Sequence, residues 1–471
     1  MRMKQTWLVS LLFISGFANA QTLQQKIQSA FSRLQQDSQC QYASVSLTVL
    51  DAKTGEQVFT ANPNMGLAPG STLKTVTSIT AFNILGKDYQ FQTQLGYTGA
   101  ISKDGTLTGD VIIKGGGDPT LGSWRWASTK EGVVLNTLVS ALKKAGIKKI
   151  NGRIIGDNGI FNGQSIPDGW IWQDLGTYYG AGITGLCWRE NSFDITLNTG
   201  SVGSPVSVSG TIPTMPYLQF KSELTNGAAH TGDLAYPYLP AFNSKVMYLR
   251  GTYAVDQTKK RISAALPDPA YDAALRLTDT LKALGIAVSN EPASSISLSE
   301  KGQPIPQATQ SLTTILSPEL SKIVYWLNQK SVNLYAEQLL ASIAANANKQ
   351  PITNNGIDVL KTFWDQRGID KKSMNIFDGS GLSPEDRITT LTMARILQSA
   401  KKEKWFGDFY ESLPVYNDMK MKSGSINSAQ AYAGFQTHEG RELCFSIIVN
   451  NYYGTGSGIR EKMFRVLNEL K

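Results

Sequence analysis

Histidine is scarce in this 471-residue sequence, which contains only His230 and His438. A Ser-His-Asp triad would have to use one of them, and neither stands in a turn-rich, acid-flanked setting. A zinc site built from histidines is nearly excluded for the same reason, so we predict no metal and no other cofactor. The glycine-rich segment 114–121 lacks the Gly-Lys-Ser/Thr ending of a phosphate-binding loop, and its composition predicts a turn.

Cysteine is almost as rare, with three residues in the whole sequence: Cys40, Cys187 and Cys444. An odd number excludes a disulfide framework, because at most one bridge can form and at least one thiol stays free. A bridge between Cys40 and Cys444 is one interpretation. The other is that each cysteine is a small buried hydrophobic residue within its strand or helix.

Long apolar runs are missing as well, so no transmembrane helix is predicted. The first residues combine a basic start, a short apolar run over 7–17 and small residues at 18–20. This is the pattern of a signal peptide over 1–20, which would leave Gln21 as the first residue of the mature chain. No cysteine follows the cleavage site, so a lipid anchor is not expected. We predict an exported protein, periplasmic or envelope-associated.

Charged residues are few and scattered, at 17% of the sequence against 41% apolar residues. This composition is typical of a globular protein, and the length suffices for two or three domains. The net charge of +8, less the two basic residues of the leader (Arg2 and Lys4), leaves +6. A mildly basic exported protein suits an anionic envelope surface, whereas the absence of basic runs argues against nucleic-acid binding.

A buried helix is predicted after Pro69-Gly70, with apolar residues at helical spacing as far as Leu85. Ser71 lies in its first turn and Lys74 follows on the same face, so the hydroxyl and the amine can meet. The helix N-terminus adds positive potential where an oxyanion would form. This is the geometry of a serine nucleophile with a lysine base. The pattern alone is weak, because the pairs 140/143 and 399/402 also match it and suit solvated helix faces.

The rest of the chain divides by its periodicity. Between 88 and about 295, short alternating segments cut by Gly, Pro, Asn and Asp predict one or two β-rich modules. We predict that this insertion, 88–295, interrupts a host domain formed by 21–87 and 296–471. In the second host segment, helical periodicity is predicted from Ser311 onward, and 431–437 and 443–450 are predicted strands.

Two companions of Ser71 and Lys74 follow in chain order. Residues 331–333 read Ser-Val-Asn, and residues 422–425 read Lys-Ser-Gly-Ser at the predicted start of a strand. The three motifs and their order resemble the penicilloyl serine transferases, the superfamily of penicillin-binding proteins and serine β-lactamases. The joint occurrence is far more specific than any one motif.

Three further segments extend the likeness over essentially the whole mature chain. They resemble signature segments of the D-alanyl-D-alanine carboxypeptidase/endopeptidase family, the class C low-molecular-mass penicillin-binding proteins: Gly115–Leu121, Asn328–Glu337 and Asp378–Ser383. The resemblance implies an α+β fold, with a transpeptidase/β-lactamase-like domain whose antiparallel sheet lies between helices, and a β-rich insertion. It also implies peptidoglycan stem peptides as substrates and β-lactam antibiotics as covalent inhibitors.

The resemblance assigns catalytic roles to four residues. Ser71 would attack the carbonyl of the penultimate D-alanine, and Lys74 would take its proton. A nearby cation, Lys422, would lower the pKa of Lys74. Ser331 would relay a proton to the leaving amine, and Asn333 would orient Lys74 and hold the substrate amide.

Substrate-binding roles fall mainly on the third motif. Lys422, with the hydroxyls of Ser423 and Ser425, would bind the terminal carboxylate, while Gly424 would let the substrate backbone approach. The backbone N–H groups of Ser71 and Ser425 would form the oxyanion hole.

Three positions depart from the family or extend it. Serine at 423 replaces the commoner threonine but keeps the hydroxyl. Pro384 stands where relatives often have a basic residue, which leaves the third residue of the stem peptide open. Asp174 in the insertion could accept an amine of the stem peptide, or it could be an acid of a surface loop.

Two other functions remain open at this point. A serine β-lactamase would use the same residues with fast deacylation; the large insertion and the lack of a recognisable deacylation glutamate argue against it. A wall-binding protein that has lost catalysis is the second alternative, and the intact motifs argue against that. The sequence makes no prediction of the oligomeric state.

Overall fold

The computed structural model describes residues 21–159, 161, 164–241 and 244–471. The predicted signal peptide, 1–20, lies outside the described residues. In the described part of the chain, no helix is long and apolar enough to cross a membrane. The α-helices there are α1 (Leu23–Gln35), α2 (Leu73–Leu85), α3 (Glu131–Lys144), α4 (Trp172–Leu175), α5 (Pro269–Ala283), α6 (Ser295–Glu300), α7 (Leu320–Lys330), α8 (Asn333–Asn346), α9 (Thr353–Asp365), α10 (Thr390–Ala400), α11 (Phe406–Ser412) and α12 (Gly456–Leu467).

The strands alternate with these helices along the whole chain. They are β1 (Ser44–Asp51), β2 (Gln57–Ala61), β3 (Gly66–Leu67), β4 (Gln92–Tyr97), β5 (Ala100–Ile101), β6 (Thr106–Thr108), β7 (Val111–Lys114), β8 (Lys149–Asn151), β9 (Ile154–Asp157), β10 (Ser192–Asn198), β11 (Ser207–Ile212), β12 (Gln219–Gly227), β13 (Asp233–Tyr238), β14 (Val246–Ala254), β15 (Arg261–Ala265), β16 (Ala287–Val288), β17 (Ala293–Ser294), β18 (Gln310–Leu316), β19 (Met374–Asn375), β20 (Arg387–Thr389), β21 (Val415–Tyr416), β22 (Met419–Ile426), β23 (Ala429–His438) and β24 (Arg441–Asn450).

The largest sheet joins the two ends of the chain. Its six antiparallel strands follow the order β2-β1-β24-β23-β22-β21. Both faces are covered, because β24 buries Phe445 and Ile447 against α1 and α12, and Cys444 and Ile448 against the layer that contains α2, α8 and α10. A strand buried on both faces reads as a continuous apolar run. The predicted α+β fold, with an antiparallel sheet between helices, is confirmed.

The same alternation decides the cysteine question. Cys444 faces the α10 side of the sheet, where its Sγ lies 3.6 Å from the carbonyl oxygen of Ala394. Cys40 belongs to the core on the opposite face, with α1 and α12. All three cysteines are buried and free. A bridge between Cys40 and Cys444 is therefore wrong, because successive side chains of a strand point to opposite faces.

Most of the remaining strands build the predicted β-rich region. The sheet orders are β17-β9-β7-β4-β18 and β16-β8-β6-β5, with α3 and α5 packed against them, and β11-β10-β15 and β12-β14-β13, which share a second core. The β-rich character is confirmed, whereas the division at 87/88 and 295/296 stays a prediction. Strand β18 pairs with β4, and this pairing favours a boundary after Leu316.

Residues 311–316 were expected to be helical and are not. They form β18, antiparallel to β4. The segment contains Thr313, Thr314 and Ile315, whose branched side chains favour strands. The helical periodicity that begins at Leu320 is correct, and α7 starts there. The prediction had treated β18 and α7 as one helical region.

Helix α2 lies in the centre of the host domain. Its residues from Leu73 to Phe82 are all buried, polar and apolar alike, so this helix packs against other elements on every side. Two of its hydroxyls are satisfied within the helix: Ser78 Oγ donates to the carbonyl oxygen of Lys74 at 2.7 Å, and Thr80 Oγ1 donates to that of Val76 at 2.7 Å. This rigid element carries Lys74, and a 3-10 turn, Gly70–Thr72, precedes it.

Candidate active site

Ser71 lies in that 3-10 turn, which touches β22 backbone to backbone. A Cβ on Gly424 would collide with the carbonyl oxygen of Pro69 and lie 2.8 Å from the amide nitrogen of Ser71. A Cβ on Gly70 would lie 2.8 Å from the amide nitrogen of Ser425, and Gly70 also has a φ of +50°. Glycine at 424 is thus required by the chain itself. Its predicted role in admitting the substrate backbone stays a prediction.

Lys74 is fully buried at the first turn of α2. Its Nζ donates to Ser71 Oγ at 2.9 Å, to Asn333 Oδ1 at 2.6 Å and to the carbonyl oxygen of Ser380 at 2.7 Å. Three acceptors match the three N–H bonds of an ammonium group. Burial lowers the pKa of Lys74 to about 8, although three neighbouring carboxyl groups oppose the shift. The direction is as predicted, but the cause is burial rather than Lys422.

The second motif lies between two helices. Ser331 ends α7 in a left-handed conformation with a φ of +54°, and α8 begins at Asn333. The amide of Asn333 bridges the two parts of the molecule, because its Oδ1 accepts from Lys74 while its Nδ2 donates to the carbonyl oxygen of Tyr179 at 2.8 Å. These two contacts also fix which end of the amide faces the lysine.

The third motif lies in the middle of β22, not at its start as predicted. Lys422 is buried and donates to Ser331 Oγ at 3.0 Å and to the carbonyl oxygen of Ser423 at 2.8 Å. Burial, with the nearby Lys74, holds the pKa of Lys422 well below its usual value. Ser425 is exposed and lines the space around the catalytic residues. Ser423 is half-buried and does not line that space.

These residues open onto one cleft of about 1110 Å³, hereafter the cleft. Its host-domain wall contains Ser71, Ser331, Asn333 and Ser425, and the β-rich region forms the opposite wall. Asp174 lies on that opposite wall. Burial raises the pKa of Asp174 above its usual range, and Tyr179 donates its hydroxyl to Oδ1 of Asp174 at 3.3 Å. In the part of the chain that the structure describes, no cluster of metal-ligating side chains is found.

Behind Lys74 lies a group of buried carboxyl groups to which sequence reasoning gave no role: Glu337, Asp378 and Asp386. Glu337 accepts from the amide of Gly379 at 3.1 Å. Burial, with Asp378, raises the pKa of Glu337 to about 8. Burial, again with Asp378, raises the pKa of Asp386 well above its usual value. A sequence signal was available for Glu337, because an acid in an otherwise apolar helical segment needs a buried partner.

Asp378 organises the loop that contacts Lys74. Its Oδ1 accepts from the amides of Ser380 and Gly381, at 3.1 and 2.6 Å. Its Oδ2 accepts from the amides of Leu382 and Ser383, at 2.9 and 2.7 Å, and from the indole nitrogen of Trp170 at 2.8 Å. One carboxylate therefore holds the carbonyl oxygen of Ser380 in place beside the lysine and ties this loop to the segment before α4.

A second buried network joins the β-rich region to α8, and sequence reasoning missed it. Glu190 accepts from both Nε and Nη2 of Arg125, at 2.7 and 3.0 Å, from Ser123 Oγ at 2.6 Å and from the Tyr335 hydroxyl at 2.7 Å. Residues 189–191 all have positive φ, between 50° and 56°. Three consecutive left-handed residues other than glycine cost free energy, and nothing in the sequence pattern indicates them.

We expect Tyr335→Phe to lower the free energy of unfolding by about 1.5–3 kcal/mol, because it removes a buried hydrogen bond to a charged group. The shift in the urea midpoint measures this. Tyr453→Phe is the matched control, since Tyr453 is 82% exposed. If both variants unfold at the same urea concentration, the hydroxyl of Tyr335 contributes no stability.

The family comparison covers nearly the whole chain. The model of the D-Ala-D-Ala carboxypeptidase 3 (S13) family matches residues 24–470. The chain belongs to this family. The resemblance predicted from the three motifs and the three longer segments is thereby confirmed, and the S13 family is one of cell-wall peptidases that remove a terminal D-alanine.

Two curated carboxypeptidases are similar to this chain in sequence, and one solved structure is similar to it in fold. The D-alanyl-D-alanine carboxypeptidase DacB of Haemophilus influenzae is 26% identical, over 83% of this chain and 82% of that protein. The D-alanyl-D-alanine carboxypeptidase of Actinomadura sp. strain R39 is 23% identical, over 87% and 78%. The crystal structure of penicillin binding protein 4 (dacB) from H. influenzae superposes with a TM-score of 0.77 at 24% identity, covering 93% of this chain and 98% of that one.

Proposed function

We propose that this protein is a serine-type D-Ala-D-Ala carboxypeptidase and/or DD-endopeptidase that acts on peptidoglycan stem peptides through an acyl-enzyme on Ser71. The observation that carries the proposal is the contact of 2.9 Å between Lys74 Nζ and Ser71 Oγ in a buried site. A serine hydroxyl needs a base at neutral pH, and an amine with a pKa of about 8 is partly neutral there.

Acylation begins when Ser71 Oγ attacks the carbonyl carbon of the penultimate D-alanine and its proton passes to the neutral amine of Lys74. The negative charge on the carbonyl oxygen is stabilised by the backbone N–H groups of Ser71 and Ser425, which lie on either side of the contact between the turn and β22. Each such donor contributes about 10²–10³ in rate. The amide bond then breaks, and the acyl group stays on Ser71.

The leaving amine needs a proton, and Ser331 is placed to relay it. Its Oγ accepts a hydrogen bond from Lys422 Nζ at 3.0 Å. Ser331 Oγ–H gives its proton to the departing nitrogen, and Lys422 returns one to Ser331. In terminal trimming the leaving group is free D-alanine, and in cross-link cleavage it is a second stem peptide. Water then attacks the ester: Lys74 returns its proton to Ser71 Oγ, and the proton that the water loses passes through Ser331 to Lys422, which restores the starting state.

The terminal carboxylate of the substrate binds on β22. Ser425, with Lys422 behind it, supplies a hydroxyl and positive charge at the cleft. Ser423 is the weaker member of the predicted set, because it does not line the cleft. On the opposite wall, the ionised carboxylate of Asp174 would accept hydrogen bonds from a protonated amine of the stem peptide.

Export and domain organisation are part of the same proposal. A leader over 1–20 would direct the chain to the periplasm or envelope, where the substrate is found. The catalytic domain would consist of 21–87 and a C-terminal segment after the insertion, because the six-stranded sheet takes its strands from both ends of the chain.

Labelled penicillin tests the proposal, because a β-lactam would acylate the same hydroxyl. We expect one long-lived adduct, found by mass spectrometry on the peptide that contains Ser71, and no adduct in Ser71→Ala. Ser140→Ala is the matched control, since Ser140 also belongs to a Ser-x-x-Lys pair but lies exposed on α3. Structures of the H. influenzae relative include one complexed with a β-lactam, which supports the choice of probe.

The other outcomes identify the alternatives. Rapid release of hydrolysed drug would support a serine β-lactamase, and no adduct would support a catalytically silent wall-binding protein. Mass spectrometry of purified wall fragments then separates the two reactions: loss of one alanine mass indicates trimming, whereas conversion of dimers to monomers indicates cross-link hydrolysis.

A further inference from the structure

One face of the sheet β12-β14-β13 is open to solvent and rich in aromatic side chains. The other face is buried through Leu224, Met247 and Leu249. On the open face, the register places Arg250 between Glu223 and Tyr236, and Tyr248 between Lys221 and Tyr238. Helix α4 adds Trp172 at the edge. We call the set of Trp172, Tyr236, Tyr238, Tyr248 and Arg250 the aromatic face.

The side chains of the aromatic face order one another. The guanidinium carbon of Arg250 lies 5.6, 5.5 and 5.3 Å from the ring centroids of Trp172, Tyr238 and Tyr248. The rings of Trp172 and Tyr238 pack edge to face at 4.9 Å. The indole nitrogen of Trp172 also donates to the carbonyl oxygen of Leu239 at 2.9 Å. Rings held in this way would bind a ligand at little cost in side-chain entropy.

Tryptophan exposure singles out this region. Among the tryptophans that the structure describes, Trp124 and Trp172 are more than half exposed, at 53% and 52%. Trp124 lines the cleft, and Trp172 lies on the aromatic face beside it. Half-exposed tryptophans beside a binding cleft mark interaction surfaces more often than chance positions do.

The aromatic face is continuous with the cleft. Tyr236 belongs to both, because it lies on β13 and also lines the cleft. Helix α4 contains Trp172 on one side and Asp174, a cleft residue, two positions later. A ligand whose peptide occupies the cleft would therefore extend directly over these rings.

We propose that the aromatic face binds a neutral polysaccharide, namely the glycan strand to which the stem peptides are attached. This rests on the proposed function, since it extends the same substrate beyond the cleft. A pyranose ring presents C–H groups that pack on the electron-rich faces of aromatic rings, and hydroxyl groups at its edge that bond to polar side chains.

The charges of the aromatic face favour sugar over peptide. Arg250 is paired with both oxygens of Glu223, at 2.7 and 3.3 Å. A stem peptide is rich in carboxylates, so a surface that binds it would present several unpaired cations. A neutral glycan needs only donors and acceptors. The paired guanidinium and carboxylate provide both without net charge, and Lys221 on β12 adds one further donor.

The test is an NMR titration of the mature chain with a soluble tetramer of N-acetylglucosamine. We expect Tyr248→Ala and Trp172→Ala each to weaken tetramer binding at least fivefold. Tyr453→Ala is the control, because it removes an exposed ring that follows β24, away from the aromatic face. Tyr248→Ala is informative even if loss of the Trp172 indole disturbs α4, because Tyr248 belongs to a different element.

An activity comparison separates this proposal from the proposed function. In Tyr248→Ala, we expect release of D-alanine from intact wall polymer to fall at least fivefold, while hydrolysis of a short D-Ala-D-Ala peptide and acylation by penicillin stay unchanged. Equal tetramer binding by parent and variant, or a loss confined to the short peptide, overturns the glycan site. Failure of penicillin acylation in the parent overturns the proposed function. The tetramer titration then decides the glycan site by itself.

Discussion

Replacing Lys74 with alanine is expected to slow acylation by penicillin by about 10²–10⁴-fold, the usual contribution of a positioned general base. Lys74 Nζ is the amine in contact with Ser71 Oγ, at 2.9 Å, and it is fully buried. The rate of adduct formation with labelled penicillin measures the effect. Lys402→Ala is the matched control, because it belongs to another Ser-x-x-Lys pair and its side chain is exposed.

The variant Lys74→Arg separates a base from a mere cation. Arginine keeps the positive charge but stays protonated at any relevant pH, so it cannot accept the proton. We expect it to be as slow as Lys74→Ala. Acylation by Lys74→Arg at close to the parent rate would mean that the residue acts only through its charge.

The pH dependence of the parent enzyme follows from the same amine. Only neutral Lys74 can act as the base, and its pKa is about 8. Below that value the neutral fraction rises about tenfold per pH unit, so the acylation rate should rise with pH and level off above about 8. A rate that falls with increasing pH over this range would contradict the assignment.

Asp378→Ala is expected to destabilise the protein by about 3–5 kcal/mol, as removal of a buried charged partner commonly does. The carboxylate accepts hydrogen bonds from four backbone amides and from the Trp170 indole, and its removal would leave these donors without that partner. Because the loop positions the Ser380 carbonyl beside Lys74, acylation should slow as well. The urea midpoint and the penicillin adduct rate measure the two effects.

Asp358→Ala provides the control for this prediction. Asp358 is an exposed acid on α9, so its removal should change the free energy of unfolding by no more than about 0.5 kcal/mol. If Asp378→Ala unfolds at the same urea concentration as Asp358→Ala, the carboxylate of Asp378 does not stabilise the loop that contains Ser380.

The sequence was most informative where local chemistry and order along the chain suffice. Ser71, Lys74, Ser331, Asn333 and Lys422 were named from short motifs. The structure joins them by direct contacts in two groups, Ser71–Lys74–Asn333 and Ser331–Lys422, and Ser71, Ser331 and Asn333 line one cleft. The helix after Gly70 and the strands around 440 followed from periodicity. These features depend on residues close in sequence or on a motif set that is specific as a whole.

What the sequence missed depends on contacts between distant segments. The strand over 310–316 forms because it pairs with β4 more than two hundred residues earlier. The left-handed turn at Glu190 is held by Arg125 and Tyr335, from two other parts of the chain. Periodicity contains no information about such partners, so tertiary contacts override the local preference.

The surroundings of Lys74 also determine the direction of its lone pair. A neutral amine has two N–H bonds and one lone pair, and three oxygen atoms surround this nitrogen. Asn333 Oδ1 and the Ser380 carbonyl oxygen can only accept hydrogen bonds, so the two N–H bonds of the neutral amine point to these two oxygens. The Ser71 hydroxyl alone can donate, so deprotonation must turn the free electron pair toward the nucleophile.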